Sequence, residues 1–222
     1  MKKFLILTAF LFLQISTVFA SVEKHIDKQI NYTMEYPIVY TKNQAAQNKI
    51  NQDIYKYIAA FRNDYSAGKF YQGNFSYKVK FEDSNYISLT ITDFRVPIKP
   101  MLAAQDYYIV YGIVYDKNSG KKLPLSNFVK ITLQDLKFLY SSDEVYSEDS
   151  NGVYLNNVGD KVTGWDSENT PSRVSEDYYL LGNGGIALVY HKYELSAGMS
   201  GPTTIRLTAE QIDYLNRKNR NL

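Results

Sequence analysis

The chain has 222 residues and no cysteine. That excludes disulfides, thiol nucleophiles, thiolate metal sites and a lipid attached to an N-terminal cysteine. Histidine is limited to His25 and His191, and tryptophan to Trp165. A histidine metal cluster or a Ser-His-Asp triad would have only those two imidazoles to draw on. No phosphate loop and no dinucleotide fingerprint occurs. Charge of one sign is also missing. The formal net charge is +2, and it falls to zero without Lys2 and Lys3. The basic excess of a nucleic-acid binder is therefore absent. After the N-terminal segment, no apolar run approaches the roughly 20 residues that a membrane-spanning helix needs.

The first residues carry an export pattern. Met1-Lys2-Lys3 is cationic, and Phe4 to Leu13 is apolar apart from Thr8. Gln14, Ser16 and Thr17 are polar, and small residues at Val18 and Ala20 precede Ser21. Charge, apolar core, polar stretch and small cleavage residues read in order as a signal peptide over 1–20, cut between Ala20 and Ser21. The apolar core would cross only about half of the ~30 Å hydrocarbon layer, which argues against an anchor. The expected product, 21–222, is an exported, soluble, periplasmic or secreted chain. Without disulfides it must be held by burial, and a domain of that size buries roughly 70% of its unfolded surface.

The rest is rich in tyrosine, with 21 in all, a residue suited both to half-buried strands and to contact surfaces. Asn31 to Tyr40 reads as a first strand, with Pro37 pointing to an edge or a bulge. Ile50, Ile54, Ile58 and Phe61 recur at helical spacing after the cap residue Asn43, which predicts a helix over Gln44 to Tyr65. Phe75 to Phe81, Tyr86 to Phe94 and Tyr107 to Tyr115 read as strands. The first of these should place Phe75, Tyr77, Val79 and Phe81 on one face. Asp116 to Gly120 is a turn cluster. Thr132 and Asp135 have capping-box spacing ahead of Leu136 and Leu139, and Thr208 and Gln211 repeat it ahead of Ile212 and Leu215. Tyr178 to Leu181 and Ile186 to Tyr193 form a hairpin around Asn183-Gly184, and Thr203 to Leu207 is a further strand. The expected fold is α+β: an antiparallel sheet with helices packed on one face, one compact unit with room for two sub-lobes divided near Ser119.

Catalytic patterns are weak. Gly198-Met199-Ser200-Gly201 approaches the serine elbow, but its second glycine comes one residue early and the strand-to-helix context is missing. Ser119 and Lys122 match Ser-x-x-Lys inside a turn instead of at a helix start. If His191 and Glu194 both lie in a strand, they point to opposite faces. Ser141 to Asp177 is acidic, led by Asp143, Glu144, Glu148 and Asp149 against only Lys161 and Arg173. It reads as a solvated loop or as a contact for a cationic partner.

Tyr178 to Tyr190, with its Gly182-Asn183-Gly184-Gly185 turn, and Lys192-Tyr193-Glu194-Leu195-Ser196-Ala197-Gly198-Met199-Ser200-Gly201 after it resemble domain of unknown function family 3298. The first part is similar to that family's strand, Gly-rich turn, strand pattern. The second is similar to its Pro-Tyr-Glu-Ile-x-x-Tyr-Ala-x-Gly signature, with Gly198 where the family often has tyrosine. Upstream, Asp116 to Leu123 is similar to the family's Asp-x-x-Thr-Gly-Lys-x-Leu turn. The 3298-like part spans about 107–217, and about 30–118 resembles family 4163 in layout. Such modules form the outer part of the lysozyme-sensing anti-sigma-V factor and occur beside peptidoglycan deacetylase domains. The resemblance implies the fold, an envelope location and a binding role. It implies neither the sensing mechanism nor the deacetylase activity.

The sequence therefore leads to an exported bacterial envelope protein that is a non-enzymatic binding module, with no cofactor and no metal. The expected partner is a lysozyme-like protein or peptidoglycan glycan. The candidate contacts are Asp143, Glu144, Glu148, Asp149, Trp165, Tyr193 and Glu194. Two other readings stay open: a wall hydrolase using Glu194 and a loop aspartate as its carboxylates, and a structural envelope protein.

Overall fold

The computed structural model describes residues 21–98, 107–141, 145–148, 154–155, 171–191, 194 and 201–221. The signal peptide assigned to 1–20, including Ala20, lies outside the described residues. The elements run β1 (Val22–Lys28), β2 (Tyr32–Val39), α1 (Gln44–Ser66), β3 (Phe70–Glu82), β4 (Tyr86–Pro97), β5 (Tyr107–Asp116), a 3-10 turn at Leu125–Asn127 and α2 (Leu133–Ser141). They continue with β6 (Val145–Glu148), β7 (Tyr154–Leu155), β8 (Tyr178–Leu180), β9 (Ile186–Tyr190), β10 (Thr203–Leu207) and α3 (Ala209–Lys218).

The class is α+β, as expected. The strands form two sheets instead of one, in the orders β1-β2-β3-β4-β5 and β7-β6-β10-β9-β8. All pairs but one are antiparallel; β2 and β3 run parallel over Tyr32↔Gly73 to Met34↔Phe75. The reason is α1, which carries the chain back between them as a crossover. Pro37 lies past the last of those pairs, where that side of β2 has no ladder to interrupt. β1 was not legible in the sequence. Val-Glu-Lys-His-Ile-Asp-Lys lacks apolar alternation because it is an edge strand, and its charges guard that edge.

α1 forms because Asn43 caps it, its side chain accepting from the Ala45 and Ala46 N–H groups, and because Ile50, Ile54, Ile58 and Phe61 make one apolar stripe. That stripe is buried against Phe75, Ile87, Leu89, Ile91, Ile113 and Tyr115 of the first sheet. Each such side chain contributes about 1.5–3 kcal/mol. A second core gathers Leu136 and Leu139 of α2, Ile212 and Leu215 of α3, and Tyr178, Leu180, Leu188, Ile205 and Leu207 of the second sheet. Val114 of β5 belongs to this core while its neighbours Ile113 and Tyr115 belong to the first, so β5 serves both.

Strand β3 departs from simple alternation. The register with β4 shifts between Val79 and Phe81. Phe75 and Tyr77 join the α1 core, Val79 is left 40% exposed, and Phe81 packs against the second core. The bulge turns one predicted face into two.

The two sheets meet at Gly112 of β5. A Cβ there would overlap the backbone of Tyr178 in β8. Nearby, the Leu180 N–H donates to Ser88 Oγ at 2.9 Å, and Ser88 is fully buried. The turn after β5 is seated just as closely: Gly120, at φ +72°, has the Ala46 backbone where a Cβ would stand, and Asn43 Nδ2 donates to the Asn118 carbonyl at 2.9 Å.

Asp135 joins α2 to α3. It accepts from the Thr132 N–H and hydroxyl at 2.9 and 2.6 Å, from Lys218 Nζ at 2.5 Å and from Asn219 Nδ2 at 2.8 Å. Burial alone would raise its pKa, but Lys218, Thr132 and Asn219 outweigh burial and hold the carboxyl well below its ordinary value.

Two outcomes are expected. Gly112→Ala should lower stability by about 1–3 kcal/mol or more, read by urea unfolding, because the added methyl has only backbone to displace. Asp135 is more acidic folded than unfolded, so its contribution is complete above the ordinary carboxylate range and fades as pH falls through and below it. Thermal melts taken downward from pH 5 should show a shallower loss for Asp135→Asn than for the parent chain.

Candidate functional site

Of the residues nominated by sequence, Asp143, Glu144, Asp149, Trp165 and Tyr193 lie outside the described residues. Glu148 ends β6 and is placed by its backbone alone. Glu194 is described, and its surroundings decide what it can do. Its oxygens accept from Arg173 Nε and Nη2 at 2.8–3.1 Å, and one also accepts the His191 N–H at 2.7 Å. β9 ends at Tyr190, and the Glu194 N–H bonds back to the His191 carbonyl at 3.1 Å. The two residues are thus brought together by a turn, and the strand argument that kept them apart does not apply. Arg173 also lies 5.7 Å from the centre of the Tyr190 ring, and Tyr190 Oη donates to the Arg173 carbonyl at 3.1 Å.

Beside this turn, Asp177 stands at the crossing of the sheets. Its Oδ1 accepts the Gly112 N–H at 3.3 Å, and its Oδ2 is 3.5 Å from His191 Nε2. Burial pushes the Asp177 carboxyl above its ordinary value, against the pull of His191, Lys122 and Arg173. His191 Nδ1 is buried with no hydrogen-bond partner, and the ring packs edge-on to Tyr111 at 6.4 Å. Sequence reasoning missed Asp177 because it appeared as the last charge of an acidic loop. The Gly112 and His191 contacts, both made only in the fold, give it a role.

Tyr111 opens a second cluster on the α1 side of the sheet. It packs on Tyr57 of α1 at 4.8 Å, and its hydroxyl is 3.5 Å from that of Tyr107. Burial raises the Tyr111 pKa well above the ordinary phenol value. Arg95 of β4 grips Asp93 through two bonds, at 2.7 and 2.5 Å, and Asp64 of α1 at 2.5 Å. Its guanidinium stands over Phe61, Phe70 and Tyr107. Burial pushes the Asp93 carboxyl up in spite of Arg95. Arg95 thereby ties the starts of β3 and β5 and the end of α1 into one fixed end of the sheet. Two tyrosines at that end reach solvent: Tyr107 is 39% exposed and Tyr71 is 50% exposed.

Chemically, the junction holds the Arg173–Glu194 ion pair and the Asp177–His191 contact, with His191 Nδ1 as its one orphaned atom among the described residues. Among the described residues, no group of three histidine, aspartate or glutamate side chains could hold a metal ion. No described helix is long and apolar enough to cross a membrane.

Comparisons with known proteins concern the fold. No protein-family model matches the chain, and no curated protein matches it. Among solved structures, a DUF3298-family member from Bacteroides fragilis aligns over 87% of this chain and 91% of its own, with a TM-score of 0.55 and 14% identity. A DUF3298-family protein from Pseudomonas aeruginosa aligns over 86% and 90%, with a TM-score of 0.58 and 9% identity. The fold is that of the DUF3298 structures. At these identities the likeness concerns architecture, and it says nothing of a ligand.

The junction residues should behave as structure. Arg173→Leu leaves Glu194 with only the His191 N–H of its three donors, in a partly exposed setting, so it should cost about 1–2 kcal/mol in urea unfolding. It should leave ligand retention unchanged once the chain is folded.

Proposed function

We propose that this chain is an exported cell-envelope protein acting as a non-enzymatic binding module, with a wall glycan as its ligand. The reading rests on one contrast. The described carboxylates that would have to act as acid and base are committed: Glu194 to Arg173 and the His191 N–H, Asp177 to Gly112 and His191, and Asp93 to Arg95. The tyrosines at the Arg95 end of the first sheet are instead presented outward on a braced frame. Rigid aromatic area at low entropy cost is what a contact surface offers. Acid–base hydrolysis needs carboxylates free to gain and lose a proton beside the scissile bond. The export pattern of 1–20 and the family resemblance support an envelope setting. A lysozyme-like protein, engaged by the acidic 141–177 segment, is the second ligand to test, because lysozymes are commonly basic.

The test is retention of the purified chain from Ser21 onward on peptidoglycan sacculi and, separately, on immobilised lysozyme, each at low and high salt. Retention on sacculi at both salt levels is expected. Retention on lysozyme alone, fading with salt, would move the reading to the protein ligand. Release of new reducing ends would restore the hydrolase, and retention on neither surface would leave the structural role.

A further inference from the structure

A second consequence of strand irregularity sits at the start of β3. The register with β4 jumps between Phe70↔Pro97 and Gln72↔Val96, so Tyr71 has no partner across the ladder. A bulge of this kind re-aims a side chain. Here Phe70 goes into the α1 core at 3% exposure while Tyr71 is left half exposed. Beside it, the β1–β2 turn folds over the start of the parallel β2–β3 pair and bounds an open cleft of about 410 Å³. That volume falls in the usual ligand range of about 300–1,000 Å³.

The chemistry of the lining is specific. Tyr71 provides an aromatic face, and Gln29, Asn31 and Gln72 provide amides. Lys28 is the one charged lining residue, and no carboxylate reaches the cleft. Ile30 stands at the rim, 99% exposed. The turn is held from below: Asp27 accepts from Gln29 Nε2 at 3.2 Å, from Tyr32 Oη at 3.2 Å and from Arg62 at 2.7 and 3.0 Å. Arg62 lies on α1, so the cleft wall is fixed to the same frame as Arg95.

We propose that this cleft is a saccharide subsite that takes an N-acetylated hexosamine unit. The inference rests on the glycan-binding reading above and names the unit recognised. A sugar ring has an apolar C–H face that lies on an exposed aromatic ring and hydroxyls that pair with side-chain amides. An acetamido group adds one N–H and one carbonyl, which neutral amides match in both directions, and a methyl group, which Ile30 can cover. Lys28 is the one charge in the lining, and Asp27 beneath it is already paired with Arg62, so the cleft disfavours a deacetylated, cationic sugar.

Titration calorimetry with three tetrasaccharides tests this: chitotetraose, its fully deacetylated form and cellotetraose. Chitotetraose should bind about tenfold or more tightly than either of the others. Tyr71→Ala should weaken it by at least about tenfold, and Gln72→Ala should weaken it less, with both variants melting as the parent does. Equal binding of all three sugars would overturn the acetamido assignment. Undiminished chitotetraose binding by Tyr71→Ala would overturn the location. Sacculus retention without chitotetraose binding would overturn this subsite and leave the wall-glycan reading standing. Failure of both would remove the two together.

Discussion

Gly112 is the constraint on which the arrangement of this chain depends. At that point the backbone of β8 crosses β5 at a distance that no side chain permits. The approach brings Asp177 onto the outward N–H of β5 and puts the Leu180 N–H on the Ser88 hydroxyl. Because β5 then faces both cores, a displacement there would be felt by Ile113 and Tyr115 on one side and by Val114 on the other. Close-packed interiors transmit such shifts instead of absorbing them. The polar contacts of the junction make sense in this light. Arg173, Glu194, His191 and Asp177 gather where two sheets that share no ladder must be held in register.

Much of the architecture was legible from pattern. The Asn43 cap, the Ile50-Ile54-Ile58-Phe61 stripe, both Thr-initiated capping boxes and the strands on either side of Asn183-Gly184 are local signals, and all are present. What escaped was non-local. β1 is a strand because β2 pairs with it, and its own side chains carry no such signal. Phe81 leaves the face of Phe75 because of one bulge. Two sheets could not be told from one, since the alternation along β4 is the same whether its second face meets solvent or, as at Ser88, another strand.

The candidate site was legible to a smaller degree, for the same reason. Glu194 was visible as a carboxylate in a signature-like stretch, but its chemistry depends on Arg173, which stands 21 residues earlier in the chain and meets it only in the fold. Tyr71 offered a faint sign: two adjacent aromatics followed by Gln72-Gly73 break the alternation that resumes at Phe75. Composition could count the tyrosines but could not separate Tyr115, buried and donating to Asp53 at 2.9 Å, from Tyr107 and Tyr71 at the exposed end of the sheet.

Every strand of the first sheet precedes every strand of the second along the chain. A polypeptide delivered N-terminus first, from a ribosome or a pore, can therefore complete the α1 layer before any residue of the second sheet has appeared. Ser88, Gly112 and Val114 would then wait as a preformed bed for β8. The one parallel pairing, which needs the long α1 crossover and is slow for that reason, is also settled in that first stage. What remains to close afterwards is antiparallel pairing against an existing surface, between chain neighbours except where β10 comes back to β6. A chain with no cysteine has no disulfide to correct a misplaced layer, and a folding order of this kind limits how often a layer is misplaced at all.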